Sequence, residues 1–228
     1  MNGNRVLFIG NSHTYFNDMP ALFADFWEAG TVESPFVTML AHPGKTWEWH
    51  LQEYKEVRFN LLYGRYDYCV LQQAAHPFPG EEETLRDGRI LAQLCQQSGT
   101  QPVISMTWAE KAYPEHQQVM VDTYRQLACE TGAILSPVGE IWQKVQKLCP
   151  EIELYASDGK HASVYGDYLI AAVHYSVLTG NSPVGLPSVG RDFMNGENYQ
   201  DYAGKTKTVL QPVQCRKLQE VAAGELRL

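Results

Sequence analysis

Short apolar runs alternate with helical patterns along most of this chain, and that alternation narrows the folds open to it. Five runs read as strands, at residues 5–9, 35–40, 68–73, 102–107 and 133–136. Each is brief and rich in Val, Ile, Leu, Phe or Tyr, the composition of strands buried on both faces. Helical spacing of apolar residues falls between and after them, at residues 19–29, 82–98, 115–131 and 164–179. The second of these starts with acidic residues, which suits a helix N-terminus. Gly132 and Gly180 stop the last two. Strand and helix in alternation imply a parallel sheet with helices on both faces. The expected class is therefore α/β, three-layer α/β/α, around a five-stranded parallel sheet.

After Gly180 the pattern weakens. Residues 181–190 are rich in Pro, Gly and Ser, and residues 191–228 read as one or two amphipathic helices. One domain is expected over 1–228, with a core at about 5–180 and a C-terminal extension, 181–228, packing on that core.

The 228 residues suffice for one such domain, and a hydrophobic content of 44% argues against disorder. The net charge of −8 argues against a nucleic-acid partner and does not favour an anionic membrane surface. Five cysteines show no Cys-x-x-Cys pair and no metal-ligand spacing, which suits free thiols in a reducing compartment. The chain enters its first strand by Arg5 without a positive-then-apolar leader, and no run approaches the roughly 20 apolar residues of a membrane span. A cytoplasmic protein without metal or cofactor is expected. The sequence leaves its oligomeric state open.

Two segments carry chemistry. The first strand runs into Gly10-Asn11-Ser12, which places a hydroxyl just beyond the carboxyl end of a parallel strand, where such sheets bind ligands. Serine is also a frequent helix N-cap, so this position has a structural reading too. Far downstream, Asp158 and His161 stand three apart before an apolar helix. Across one turn the carboxylate reaches Nδ1, which leaves Nε2 to take a proton from serine. Acyl transfer also needs donors for the tetrahedral oxygen. The Ser12 N–H is one candidate. Gly44, after the second strand, is another, or it is a plain turn glycine. Gln72, at the end of the third strand, is a side-chain donor or a structural amide. His174 lies inside the last helical pattern and reads as a packed side chain.

In this order, the segments resemble the SGNH (GDSL-like) serine hydrolase superfamily, and an uncharacterised bacterial subgroup of it. Gly10-Asn11-Ser12 looks like its first block, usually Gly-Asp-Ser. Gly44-Lys45-Thr46 looks like the second, and Asp158-Gly159-Lys160-His161 like the last. The resemblance implies a flavodoxin-like topology and ester hydrolysis by Ser12, His161 and Asp158. It implies an oxyanion hole from the N–H groups of Ser12 and Gly44. The third block departs from the family. Ala74-Ala75-His76-Pro77 stands where Gly-x-Asn-Asp is usual, so the third donor falls to Gln72 or, as second choice, His76. Trp108, after the fourth strand, is either a pocket wall that stacks on a sugar face or a core or rim aromatic. The expected partner is a small-molecule ester, plausibly an acetyl group on a carbohydrate. A lipid or thioester hydrolase with the same triad, or a non-catalytic binding module on the same fold, are the rival readings.

Overall fold

The computed structural model describes residues 4–31, 33–191 and 207–225. It divides into two compact units. One comprises residues 1–14 and 34–140, the other residues 15–33 and 141–228.

The first unit holds the parallel sheet. An interior strand, β1 (Arg5–Gly10), pairs with β2 (Phe36–Ala41) on one side and β3 (Tyr68–Gln72) on the other. Beyond β3 lie β4 (Gln101–Ser105) and β5 (Ile134–Ser136), giving the order β2-β1-β3-β4-β5, all parallel. This is the flavodoxin-like order. The expected three-layer α/β/α class with a five-stranded parallel sheet is what the chain adopts. The order reverses between β1 and β3, so the loops leaving those two strands flank the crevice where open α/β sheets bind ligands.

Val6, Leu7, Phe8 and Ile9 of β1 are all almost fully buried, as an interior strand requires. β2 departs from the expectation of burial on both faces. It is an edge strand, and Phe36 and Met39 are 50% and 41% exposed. Apolar composition identified it as a strand but carried no information about its place in the sheet.

Helices follow each strand. In this unit they are α3 (Trp47–Gln52), α4 (Tyr54–Gly64), α5 (Glu81–Gln97) and α6 (Gln117–Thr131); α7 (Val138–Leu148) starts here and continues into the second unit. Thr46 caps α3 by accepting the Trp49 N–H at 3.3 Å. Three glutamates open α5, where they complement the helix dipole. Trp47, Leu71, Leu91, Ile104, Met120 and Leu127 form part of one buried cluster. Sequence reading missed α3, α4 and α7. α4 offered little to read, since only Val57 and Leu61 are buried while Phe59, Leu62 and Tyr63 face outward. α7 did carry the signal. Val138, Ile141, Trp142 and Val145 recur at helical spacing, and all four are buried.

In the second unit, α2 (Met19–Thr31) packs against α8 (Val164–Thr179), which in turn packs against α9 (Pro212–Ala222). Gln219 of α9 donates to the Tyr168 hydroxyl at 2.7 Å and to the Leu186 carbonyl at 2.9 Å. The expectation of helices throughout 191–228 is corrected in part. α9 is there, but β6 (Val189–Arg191) and β7 (Lys207–Val209) form an antiparallel ribbon, and residues 192–206 lie outside the described residues. The ribbon is anchored by the buried Arg191, which bonds Asp25 at 2.8 Å and Asp18 at 3.1 Å. Those acids lie far away in sequence, so nothing local announces the strand. Among the described residues, no helix is long and apolar enough to cross a membrane.

His174 is buried in α8, as expected, and burial pushes its pKa down to about 3. An unfolded chain takes up that proton near pH 6.5 and the folded one refuses it. This residue therefore costs stability progressively as pH falls from about 6.5 towards 3. His174→Gln should lose less stability than the wild type between pH 7 and pH 4.5, measured as the shift in urea midpoint. An equal loss in both proteins would contradict this assignment.

Candidate active site

The turn after β1 is braced from three directions. Gln72, at the end of the neighbouring β3, accepts the Asn11 N–H at 3.0 Å and the Thr14 hydroxyl at 2.8 Å with the same Oε1. Asn11 donates its Nδ2 to the Lys45 carbonyl at 2.9 Å and accepts the His13 N–H at 3.0 Å. His50 donates Nε2–H to the Gly10 carbonyl at 2.8 Å, which also accepts the His42 N–H at 3.1 Å. Burial lowers the His50 pKa, against the opposing pull of that carbonyl. Ser12 sits inside this frame, half-buried, as the first residue of the short helix α1 (Ser12–Tyr15). Gly10 is there for space. A Cβ on it would lie 2.3 Å from Thr14 Oγ1 and 2.5 Å from Gln72 Oε1.

Gly44 occupies an exposed turn at φ +68°, a conformation that favours glycine. Among the described residues, none accepts a hydrogen bond from its N–H.

Three expectations change here. Gln72 was expected to donate to the oxyanion; here its NH₂ donates to the Gln73 carbonyl and its oxygen holds the turn at Ser12. It is a brace. His76, the second choice, has both ring nitrogens engaged, Nδ1 with His13 Nε2 at 2.8 Å and Nε2 with the Trp108 carbonyl at 2.9 Å. It borders a pocket of about 340 Å³, walled also by Pro77, Phe78, Glu110, Tyr113 and His116. Trp108 is only 2% exposed, with its ring 5.3 Å from that of His13. A buried ring offers no face to a sugar, so Trp108 is the core aromatic of the two readings, packed against His13 and His76.

In the second unit, Asp158 and His161 meet as the spacing suggested. His161 Nδ1 lies 2.6 Å from Asp158 Oδ2. Asp158 Oδ1 accepts the N–H groups of Lys160 at 2.9 Å and His161 at 3.0 Å. Burial would raise the carboxyl pKa, but the His161 ring and those two amides together hold it at about 2. The loop is closed by Ala156 N–H to the His161 carbonyl at 2.8 Å and by Ser163 N–H to the Leu154 carbonyl at 2.8 Å. Ser163 then caps α8, accepting the Gly166 N–H at 3.1 Å.

Two supporting residues escaped the sequence reading. The Phe16 ring stacks on the His161 ring, 4.4 Å between centroids and 18° from parallel. Asn17, at φ +47°, donates to the carbonyl of Ala162 at 3.1 Å and to Asp167 Oδ2 at 2.7 Å. Burial drives the Asp167 pKa well above the usual carboxylate value, with the Asn17 bond opposing. A left-handed Asn and an acid on an apolar helix were the available signals, and neither points to His161 without the fold. Among the described residues, no three His, Cys, Asp or Glu side chains converge as metal ligands.

Gly10→Ala should destabilise the protein by about 1–3 kcal/mol, because the new methyl displaces Thr14 and Gln72. Urea unfolding measures this, and an unchanged midpoint would mean that the turn is not held as described.

No family model matches the chain, and no curated protein does. Solved structures do. A DUF4886 family protein from Bacteroides uniformis superposes with a TM-score of 0.69 at 18% identity, covering 98% of this chain and 94% of that one. A catalytic mutant of Axe2, an acetylxylan esterase from Geobacillus stearothermophilus, gives 0.64 at 16% identity, covering 77% and 94%. A member of the lipolytic protein G-D-S-L family from Veillonella parvula gives 0.61 at 12%, covering 77% and 98%. With its sheet order and these neighbours, the chain has the fold of the SGNH (GDSL-like) hydrolases.

Proposed function

We propose that this chain is a serine esterase working through an acyl-enzyme. Ser12 attacks the ester carbonyl and passes its proton to His161 Nε2. Asp158 fixes the His161 tautomer through Nδ1 and stabilises the imidazolium that forms. The N–H groups of Ser12 and Gly44 bind the oxyanion. His161 then protonates the leaving alcohol. Water repeats the sequence on the acyl-enzyme, releasing the acid and restoring Ser12.

The observation that carries this reading is the 2.6 Å bond between Asp158 and His161, with the other carboxylate oxygen engaged by two amides. A neutral imidazole with Nδ1–H so held has only Nε2 with which to accept a proton. The unengaged Gly44 N–H and the SGNH-type fold add support. The proposed substrate carries a small acyl group, such as acetyl, on a carbohydrate. Fold kinship with an acetylxylan esterase favours this.

With p-nitrophenyl acetate, Ser12→Ala should remove turnover, and Asp158→Asn should lower kcat by about 10²- to 10⁴-fold. Full activity in Ser12→Ala would overturn the reading. The Asp158 carboxyl, held at about 2, stays ionised throughout the working range. As pH falls, kcat/KM should therefore show no step from the Asp158 carboxylate above about pH 3. A carboxylate step between pH 3 and 5 would contradict it. Rates should also fall from acetyl to decanoyl esters, whereas rates rising with chain length would replace the acetyl reading by a lipase.

A further inference from the structure

His13 and His76 form a hydrogen-bonded chain that ends on an acceptor at both sides. His13 Nδ1 lies 3.3 Å from Asn11 Oδ1, His13 Nε2 lies 2.8 Å from His76 Nδ1, and His76 Nε2 lies 2.9 Å from the Trp108 carbonyl oxygen. The Trp108 carbonyl can only accept. The Asn11 amide is fixed in the same sense, because its Nδ2 donates to the Lys45 carbonyl and its Oδ1 accepts the His13 N–H. Turning it over would set oxygen against oxygen at one end and N–H against N–H at the other.

Each outer ring nitrogen therefore needs a proton, and the contact between the rings needs one more. Two neutral imidazoles hold only two protons between them. With two, one of the three contacts must place lone pair against lone pair.

We propose that His13 and His76 share a third proton at neutral pH and act as one cationic unit next to Ser12, positioning the nucleophile turn and favouring the negative charge that develops there. The electrostatic role rests on the esterase reading of Ser12; the proton count does not. The cation takes the place of the missing third-block donor by charge, since the Gln72 NH₂ and both His76 ring nitrogens are engaged within the protein. Burying a charge is costly unless its hydrogen bonds are met, and here all three N–H groups have acceptors. The surroundings suit it. Glu110, Tyr113 and His116 border the same pocket as His76, and the Trp108 ring faces both imidazoles at 5.3 and 6.5 Å. The Lys45 ammonium is turned to the Trp49 ring, 5.3 Å from its centroid.

The direct test is a long-range ¹H–¹⁵N correlation spectrum of histidine-labelled protein at pH 7, assigned with His13→Gln and His76→Gln. Three protonated nitrogens across the two rings, including His13 Nδ1 and His76 Nε2, are expected. Two neutral rings would overturn the proposal. This readout needs no turnover, so it stands or fails apart from the esterase reading. With p-nitrophenyl acetate, His76→Gln should lower kcat/KM about tenfold and remove an alkaline limb, present in the wild type, that marks loss of the shared proton. An unchanged rate, or an alkaline limb surviving in the variant, would overturn the electrostatic role.

Discussion

The grip of Asp158 on His161 is the interaction on which the proposed chemistry depends. A carboxylate with one oxygen on Nδ1 and the other on two backbone amides is fixed in position and stays ionised far below neutral pH. It dictates which imidazole nitrogen carries the proton, and so which one can take another. The Phe16 ring on one face of His161, and the Asn17 bond to the carbonyl of the next residue, restrict the orientation further. A base that is already oriented has little reorganisation left to do when the transition state forms.

The nucleophile turn is prepared differently, by hydrogen bonds from neighbouring strands and loops to its backbone. Gln72, Asn11 and His50 each engage a backbone group at or beside the turn, and Gly10 makes room for Thr14 and Gln72 to close over it. The turn follows an interior strand of the sheet, whose side chains are buried on both faces, so its position is set by a well-packed part of the first unit. Gln72, which looks like an oxyanion donor in the sequence, takes part in this bracing.

Much of this was legible in the sequence, because the strongest signals were local. A strand ending in Gly-Asn-Ser and an Asp-x-x-His before an apolar helix reveal their conformation within a few residues. The α8 boundaries were readable because Ser163 caps one end and Gly180 stops the other. What could not be read depends on distant partners. The commitment of Gln72 follows from pairing between β1 and β3, the burial of Trp108 from its packing against His13, and the role of Asn17 from bonds to residues about 150 positions away. The edge position of β2 and the β6–β7 ribbon fall in the same group, since composition reports burial tendency and not neighbours.

The most direct measurement of the central claim is peptide mapping after reaction with a fluorophosphonate probe. A single adduct on Ser12, formed rapidly by the wild type and at least about a hundredfold more slowly by His161→Ala, is what an oriented Ser–His pair gives. No adduct on Ser12, or labelling indifferent to loss of the imidazole, would contradict the account.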